Sequence, residues 1–490
     1  MTTNAETLAA RFHTVAARRG AAPAVRDGEE EWSYAGLAEA VDGLAARIAP
    51  EAPDPGARIA VVCPNGAGFV TAFFAILGAG GVVVPLNPAL QERELTEIMR
   101  DAGVSRVLTT RDLQPRCEAA LRAAGGGREG AVMAIDAARA PRVAGPRSAA
   151  VAGPAVCLYS SGSTGRPKRV ERTHANLLWE ADRLIAALGL RPGDQVLGVT
   201  PFSHVNGLMR SMVGALLAGA TLVPLAQFER GAVARAIPER GISVFIGVPF
   251  MFGMLAETRW PRSPDFSSLR LCLSASAPLP PDTSRGFHGR YGMYVRQLYG
   301  TTETGSIAAN LDARVEDGLA TVGPPLPGVE VRILSESGAP VREGETGEIA
   351  VRSPGTAHGY AGRPDESQHA FDSGWFRTGD IGGRDSRGRL SIVGRKSLFI
   401  NRAGYKVNPY EVEEVLARHP KVREVAVTGL AAEYGDEKVK AVLVVREPCD
   451  AREIVEFCRG RLADFKVPSV VEFREALPQS ATGKILRAEI

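Results

Sequence analysis

The sequence predicts an α/β protein with a β-rich unit and a compact α+β module behind it. Three observations lead there. Through residues 1 to about 120, and again from about 180 to 310, helical periodicity alternates with short apolar runs, as in parallel sheets covered by helices. From 320 to 395 the texture changes to short alternating strands between Gly and Pro turns. After Lys396, helix- and strand-like segments alternate over the remaining stretch. At 490 residues the soft prior is about three domains of roughly 150 residues each.

The elements follow in order. Ala60 to Cys63 and Val82 to Pro85 read as buried strands. The longest apolar stretch, Phe69 to Leu86, is broken by Gly78, Gly80 and Gly81. It therefore reads as a buried helix, a turn and a strand, and not as a membrane span. Residues 119 to 154 are rich in Ala, Gly and Arg and poor in large apolar residues, so a loosely packed surface stretch is expected. Thr221 to Leu225, Val244 to Val248 and Leu269 to Leu273 are expected strands. Val329 to Ile333 and Glu348 to Arg352 fit a small barrel-like unit. In the last module Glu411 to Arg418 and Ile454 to Leu462 read as helices, Val422 to Val427 and Val439 to Val445 as strands.

Composition excludes several classes. The chain is 45% hydrophobic and 23% charged, with a net charge of +3, ordinary for a globular protein. No dense Lys/Arg run with interleaved aromatics points to nucleic acid. The six cysteines form no CxxC pair and no histidines cluster with them, which argues against zinc and for free thiols in a reducing cytoplasm. The N-terminal residues lack a signal-peptide core.

The most informative segment is Tyr159-Ser-Ser-Gly-Ser-Thr-Gly-Arg-Pro-Lys168, between the apolar run Ala155 to Leu158 and the helix-like Ala175 to Leu188. Gly162 and Gly165 permit backbone conformations in which amides converge on one point. Ser160, Ser161, Ser163 and Thr164 add hydroxyls, and Lys168 a charge. These are the parts needed to hold a polyphosphate. A plain Gly/Ser linker would seldom place Pro-Lys just behind the turn, and the spacing before the lysine is not that of the usual P-loop.

Five further segments accompany this loop in fixed order. They are Pro201-Phe-Ser-His204-Val-Asn-Gly-Leu208, Gln297-Leu-Tyr299-Gly-Thr-Thr302-Glu303-Thr304, Trp375-Phe-Arg-Thr-Gly-Asp380, Gly394-Arg395-Lys396 and Ser480-Ala-Thr-Gly-Lys484. Together, over nearly the whole chain, they resemble the adenylate-forming superfamily of acyl- and aryl-CoA synthetases, nonribosomal adenylation domains and beetle luciferases. The resemblance implies a large N-terminal domain (1–395) of two α/β subdomains and a distorted β-barrel. A small mobile α+β lid (396–490) follows it. It also implies the chemistry: an acid attacks the α-phosphate of ATP, and a thiol then displaces AMP.

The resemblance assigns roles residue by residue. Ser160 to Gly165 and Lys168 match the loop for the β- and γ-phosphates. Arg169 stands where a further glycine is usual and is expected to face solvent. Tyr299 matches the aromatic on adenine, in a nucleotide set with Ser276, Ala277, Gln297, Gly300, Thr301 and Thr302. Glu303 matches the Mg²⁺ ligand, and Asp380 and Arg395 match binders of the ribose hydroxyls. Lys484 matches the lysine that reaches the α-phosphate and the acyl carboxylate, and Lys406 a polar residue near the adenylate. His204 matches a gate beside the carboxylate site.

Amino-acid-activating relatives place an aspartate after that gate, where this chain has Val205. An ammonium buried against valine would lack a partner, so a free α-amino acid is an unexpected substrate. Asn206 is available for a polar group. The rest of the pocket, drawn from Gly207 to Ser211, Val248 to Phe252, Ser274 and Ala275, suits an apolar aryl or aliphatic tail. Two departures bear on the thioester step: Ser397 stands at the usual Asp/Lys hinge, and Ala403, before Gly404, where a glycine is common beside the pantetheine tunnel. The expected cofactors are ATP, Mg²⁺ and CoA, or the phosphopantetheine of a carrier protein acting in trans. Arg402 is a weak pointer to CoA. A homodimer is admitted.

Overall fold

The computed structural model describes residues 6–48, 56–126, 130–135, 153–160, 167–402, 405–432, 437–459, 461–480 and 485–490. Two sheets form the large part of the molecule. The first has six strands in the order Val132–Ala134, Arg106–Thr109, Arg58–Val62, Val82–Leu86, Pro154–Ser160, Lys168–Thr173. All pairings are parallel except the last, an antiparallel hairpin. The second has eight strands, with six parallel at its centre (Val295–Thr301, Leu271–Ser274, Val244–Gly247, Gln195–Gly198, Thr221–Pro224, Pro23–Asp27). Antiparallel strands Gly305–Ala309 and Glu30–Ser33 close its edges.

The apolar runs explain this arrangement. Central strands bury both faces, so they read as continuous hydrophobes. Val196, Val244 and Ile246 face the helices shared between the two sheets, together with Ile59, Val61 and Val83 of the first sheet. Their neighbours Leu197 and Phe245 face a second core behind the second sheet, and Ala60 and Val62 a third behind the first. The shared layer holds the helices Leu8–Arg19, Tyr34–Ile48, Ala67–Gly78 and His174–Leu188. Ala67–Gly78 is apolar all round because it is buried all round. It fulfils the helix–turn–strand reading of Phe69 to Leu86. Among the described residues no helix is long and apolar enough to cross a membrane.

The β-rich unit is an antiparallel half-barrel sheet: Glu330–Leu334, Thr346–Arg352, Trp375–Arg384, with Phe371–Asp372 and Leu390–Arg395 in succession along the far edge of Trp375–Arg384. A separate C-terminal domain follows. Its strands Val422–Ala431, Glu437–Val445 and Val470–Phe473 pack on helices Pro409–Ala417 and Ala451–Cys458 around their own core.

Two expectations are corrected. Residues 119 to 154 are not uniformly loose. Gln114–Ala123 is a helix burying Cys117, Ala120 and Leu121, and Val132–Ala134 is an edge strand. The phosphate-loop segment does not pass straight from strand to helix: Lys168–Thr173 intervenes and pairs back on Pro154–Ser160, Ser160 opposite Lys168. The two strands are therefore the arms of one hairpin.

Candidate active site

The segment Val295–Thr301 and the turn after it carry two functions on one piece of backbone. At its start, Gln297 is committed to structure. Its Oε1 accepts from Leu279 N (3.1 Å), and its Nε2 donates to Leu319 O (2.8 Å). At the centre, Tyr299 is buried and its hydroxyl donates to Asp380 Oδ2 at 2.7 Å. Burial and the Asp380 carboxylate push the phenol far above its usual range, so it stays a donor. Asp380 pairs in register with Arg395 across the half-barrel, Oδ1 lying 3.8 Å from Nε. Tyrosine ring, carboxylate and guanidinium thus converge where the half-barrel meets the second sheet.

At the other end of the segment Glu303 is buried, and its Oε1 accepts from Tyr360 OH at 3.1 Å. Lys168 stands over the Tyr360 ring, Nζ 4.6 Å from its centroid, and pairs with Glu366 at 2.7 Å. The isolated bridge Val170↔Tyr360 fixes this register. A line Glu366–Lys168–Tyr360–Glu303 therefore joins the hairpin to the turn. Thr301 Oγ1 accepts from Thr304 N at 3.1 Å and shapes the turn, with Thr302 half-buried at its tip. A single carboxylate fits a Mg²⁺ ion that takes its other oxygens from phosphates and water, so Glu303 is chemically suited.

The expected pocket segment continues as Asn206–Val213, a π-helix whose Asn206 Nδ2 donates to Gly247 O, the last residue of its strand, at 3.5 Å. Such helices are rare and concentrate at functional sites. Gly207 is required: a Cβ there would lie 2.3 Å from Pro201 O and 2.4 Å from Thr200 O. The preceding loop hangs on Asn65, whose Nδ2 donates to Gly198 O, Thr200 O and Leu225 O and whose Oδ1 accepts from Phe202 N. His204 and Val205 follow, half-buried. Opposite them, Val248, Ser274 and Ala275 are buried at the ends of their strands, while Ser276 and Ala277 are exposed. Ser276 has φ +72°, a left-handed conformation uncommon for serine.

The chain belongs to the AMP-binding enzyme family. The family model for AMP-binding enzymes matches residues 12–361, and that for their C-terminal domain matches residues 411–484. A feruloyl-CoA synthase of Amycolatopsis sp is 36% identical over 477 residues, covering 96% of this chain and 95% of the relative. An indoleacetate–CoA ligase of Aromatoleum aromaticum is 33% identical, covering 95% and 94%. ATP-bound MatB from Rhodopseudomonas palustris has the same fold, with a TM-score of 0.88 and 28% identity, covering 99% and 98%. The chain is an enzyme, an acid–thiol ligase of the AMP-forming acyl-CoA synthetase type. Its family uses ATP and CoA.

Within this member of the AMP-binding family several expected residues fall outside the described set: Ser161, Gly162, Ser163, Thr164, Gly165, Ala403, Gly404 and Lys484. Their flanks are defined. Gln479 bridges Ile485, and Leu486 N donates to Pro478 O at 2.9 Å, closing the ends of the Lys484 loop. Lys406 lies on the strand Tyr405–Val407, and its side chain is outside the description. Ser397 is exposed in a 3₁₀ turn.

Three local expectations change. Arg169 does not face solvent. It donates to the Asp101 carbonyl, lies 3.4 Å from that residue's carboxylate and is 3.5 Å from Glu171, because its strand runs beside the end of helix Glu92–Ala102. Arg402, half-buried, is tied to its own domain: its Nη1 donates to Phe465 O and Val467 O at 3.1 and 2.8 Å. The expected pocket segment is not wholly apolar, since it carries Arg210, fully buried on the π-helix, 3.4 Å from Asn206 Oδ1. Sequence reasoning also missed Asn65, Tyr360 and Glu366. No local motif marks them, because their partners lie far along the chain.

Proposed function

We propose that this ligase activates a carboxylic acid as its acyl-adenylate and passes the acyl group to the thiol of CoA. One observation carries the reading. The backbone from Tyr299 to Glu303 links an aromatic, Asp380-bonded end to a carboxylate end tied to Lys168. That spacing suits the two ends of a nucleoside triphosphate.

Tyr299 offers a ring to adenine, while Asp380 accepts from the ribose hydroxyls and Arg395 steadies it. Ser160 and Lys168 at the hairpin neutralise the β- and γ-phosphates. Glu303 would hold the Mg²⁺ ion, which supplies charge neutralisation at the phosphates. An acid carboxylate oxygen bonds to the α-phosphorus as the bond to the bridging oxygen breaks, and pyrophosphate leaves. To Lys484 we assign the balancing of the charge that grows between the two anions, an effect worth about 10²–10³ in rate for one such donor. In the second step the CoA sulfur bonds to the acyl carbon, its proton goes to solvent, and AMP departs with the former carboxylate oxygen. His204 gates the carboxylate site between steps. The domain division near residues 395 and 396 suits a lid that turns between half-reactions, with Ser397 at the turn and Ala403-Gly404 beside the thiol's path.

The test separates the half-reactions. Lys484→Ala is expected to abolish acid-dependent pyrophosphate release while largely sparing thioester formation from supplied acyl-adenylate. Unimpaired adenylation in that variant contradicts the assignment.

A further inference from the structure

A buried ion network stands behind the turn that carries Glu303. Glu180, on the helix His174–Leu188, is its hub. One carboxylate oxygen of Glu180 takes Arg172 Nη1 at 2.7 Å. The other accepts from Ser306 N at 2.9 Å and from Ser306 Oγ at 3.0 Å. Ser306 Oγ in turn accepts from Arg210 Nε at 3.0 Å. Arg172, Glu180 and Arg210 are all buried.

Arg210 is thus a second guanidinium beside one carboxylate. Burial lowers it to about 10, with Glu180 opposing that shift and Arg172 adding to it, so it remains a cation at neutral pH. The fold has little need of this second charge. Exchanging a buried ion for an apolar side chain of similar volume is often neutral or stabilising, provided no partner is left as an unpaired charge. Without Arg210, Glu180 would keep Arg172 and both bonds from Ser306. A buried charge that the fold can spare calls for a role in the site.

Its surroundings supply one. Ser306 pairs with Gly300 across the strands Val295–Thr301 and Gly305–Ala309, and the register shifts between Tyr299 and Gly300. Such an irregularity re-aims the side chains around it. Here it separates Tyr299, bonded to Asp380, from the turn that carries Glu303. The Arg210 guanidinium packs on this very point. A Cβ on Gly300 would collide with Arg210 Nη2 and with Gly305 O, so only glycine leaves room for both. Arg210 therefore bonds the strand opposite the register shift, at Ser306, and lies against the shifted strand itself, at Gly300. The turn has a separate support at Glu303, whose carbonyl accepts from Ala357 N at 2.8 Å.

We infer that Arg210 is a positioning residue for ATP: by fixing the register shift between Tyr299 and Gly300, it sets the nucleoside end of the segment against the metal end. It acts through Tyr299 and Glu303, not on the nucleotide itself. The inference rests on the proposed ligase reading.

The experiment measures equilibrium binding of ATP with Mg²⁺, and of AMP, to the full chain without acid, by calorimetry, beside a denaturant titration. AMP draws on the Tyr299 end, whereas ATP with Mg²⁺ needs both ends in phase. Arg210→Met is expected to weaken ATP–Mg²⁺ binding about tenfold, the low end for one hydrogen bond from a charged group. AMP binding should stay nearly unchanged, and the denaturant midpoint should hold or rise. Arg210→Lys keeps the charge without the planar fork and should fall between the two. Ser306→Ala keeps both guanidiniums and the Ser306 N bond to Glu180. It should show the same selective loss at smaller size, and it carries the test should Arg210→Met not fold. Equal weakening of both nucleotides makes Arg210 a strut of the fold and overturns the inference. Unchanged ATP–Mg²⁺ binding overturns it as well, and either result leaves the ligase reading standing. A wild type that binds neither nucleotide overturns the ligase reading and the inference with it.

Discussion

Removing the Tyr299 hydroxyl tests the nucleotide end of the site without removing the ring. In Tyr299→Phe the surface offered to adenine is kept, and only the 2.7 Å donation to Asp380 Oδ2 is lost. Hydrogen bonds to charged groups contribute about 1.5–3 kcal/mol. Asp380 keeps the Arg395 guanidinium at 3.8 Å and has a backbone N–H held by Thr378 Oγ1 at 3.0 Å. Its side chain is also 15% exposed. The low end of the range therefore applies, about 1.5 kcal/mol, or roughly tenfold in an equilibrium constant. If Asp380 binds the ribose diol, the loss falls on ATP. The KM for ATP should rise about tenfold, with a smaller change in kcat. Initial-rate pyrophosphate release at saturating acid measures it. Repeating the series with 2′-deoxy-ATP supplies the decisive control, because a nucleotide lacking one of the ribose hydroxyls draws less on an oriented Asp380 and should show a smaller mutant effect. An unchanged KM for ATP, or an equal effect with both nucleotides, refutes the coupling of Tyr299 to the ribose site.

Three further outcomes follow from burial and charge. Glu180→Gln leaves Arg172 unpaired at zero exposure. It should lower unfolding stability by about 3–5 kcal/mol, read as a fall in the denaturant midpoint; a loss below about 1 kcal/mol contradicts it. His174 is half-buried, and its desolvation holds it down to about 4. The unfolded chain takes up that proton near pH 6.5 and the folded chain resists it, so stability is full above about pH 6.5 and falls as pH drops towards 4. His174→Asn should flatten this part of the pH–stability curve. Of the thiols, Cys449 is half-exposed and the other five are buried, Cys157 pushed up to about 12 and Cys458 to about 11 by burial. A thiol reagent should modify one cysteine quickly in the native protein and all six after denaturation; rapid modification of several in the native state contradicts the burial described.

Much of the fold was legible because the strands of a doubly covered sheet must be apolar on both faces. Val82–Leu86, Val244–Gly247 and Leu271–Ser274 announced themselves for that reason. The hairpin partner Lys168–Thr173 did not, since an edge strand that reads Lys-Arg-Val-Glu-Arg-Thr buries only alternate residues. The same holds for the site. Tyr299, Glu303, Asp380 and Arg395 sit in recognisable segments. Tyr360 and Glu366 acquire meaning only when a long-range bridge sets them against Lys168. Arg210 was hidden differently: only its burial on the π-helix reveals that the charge faces inwards. The solvent-facing reading of Arg169 erred in the opposite direction, since a basic residue at a strand edge is as readily held by a carbonyl as by solvent.

The most direct test of the ligase reading is acid-dependent pyrophosphate release from ATP and Mg²⁺ across aryl, medium-chain, long-chain, dicarboxylic and amino acids. Each acid is assayed without thiol, with CoA, and with a phosphopantetheinylated carrier protein. The expected result is release with one class of acid, none with free amino acids, and acceleration by CoA with formation of the acyl-CoA. Acceleration by the carrier protein alone, or no release with any acid despite measurable ATP binding, would contradict it.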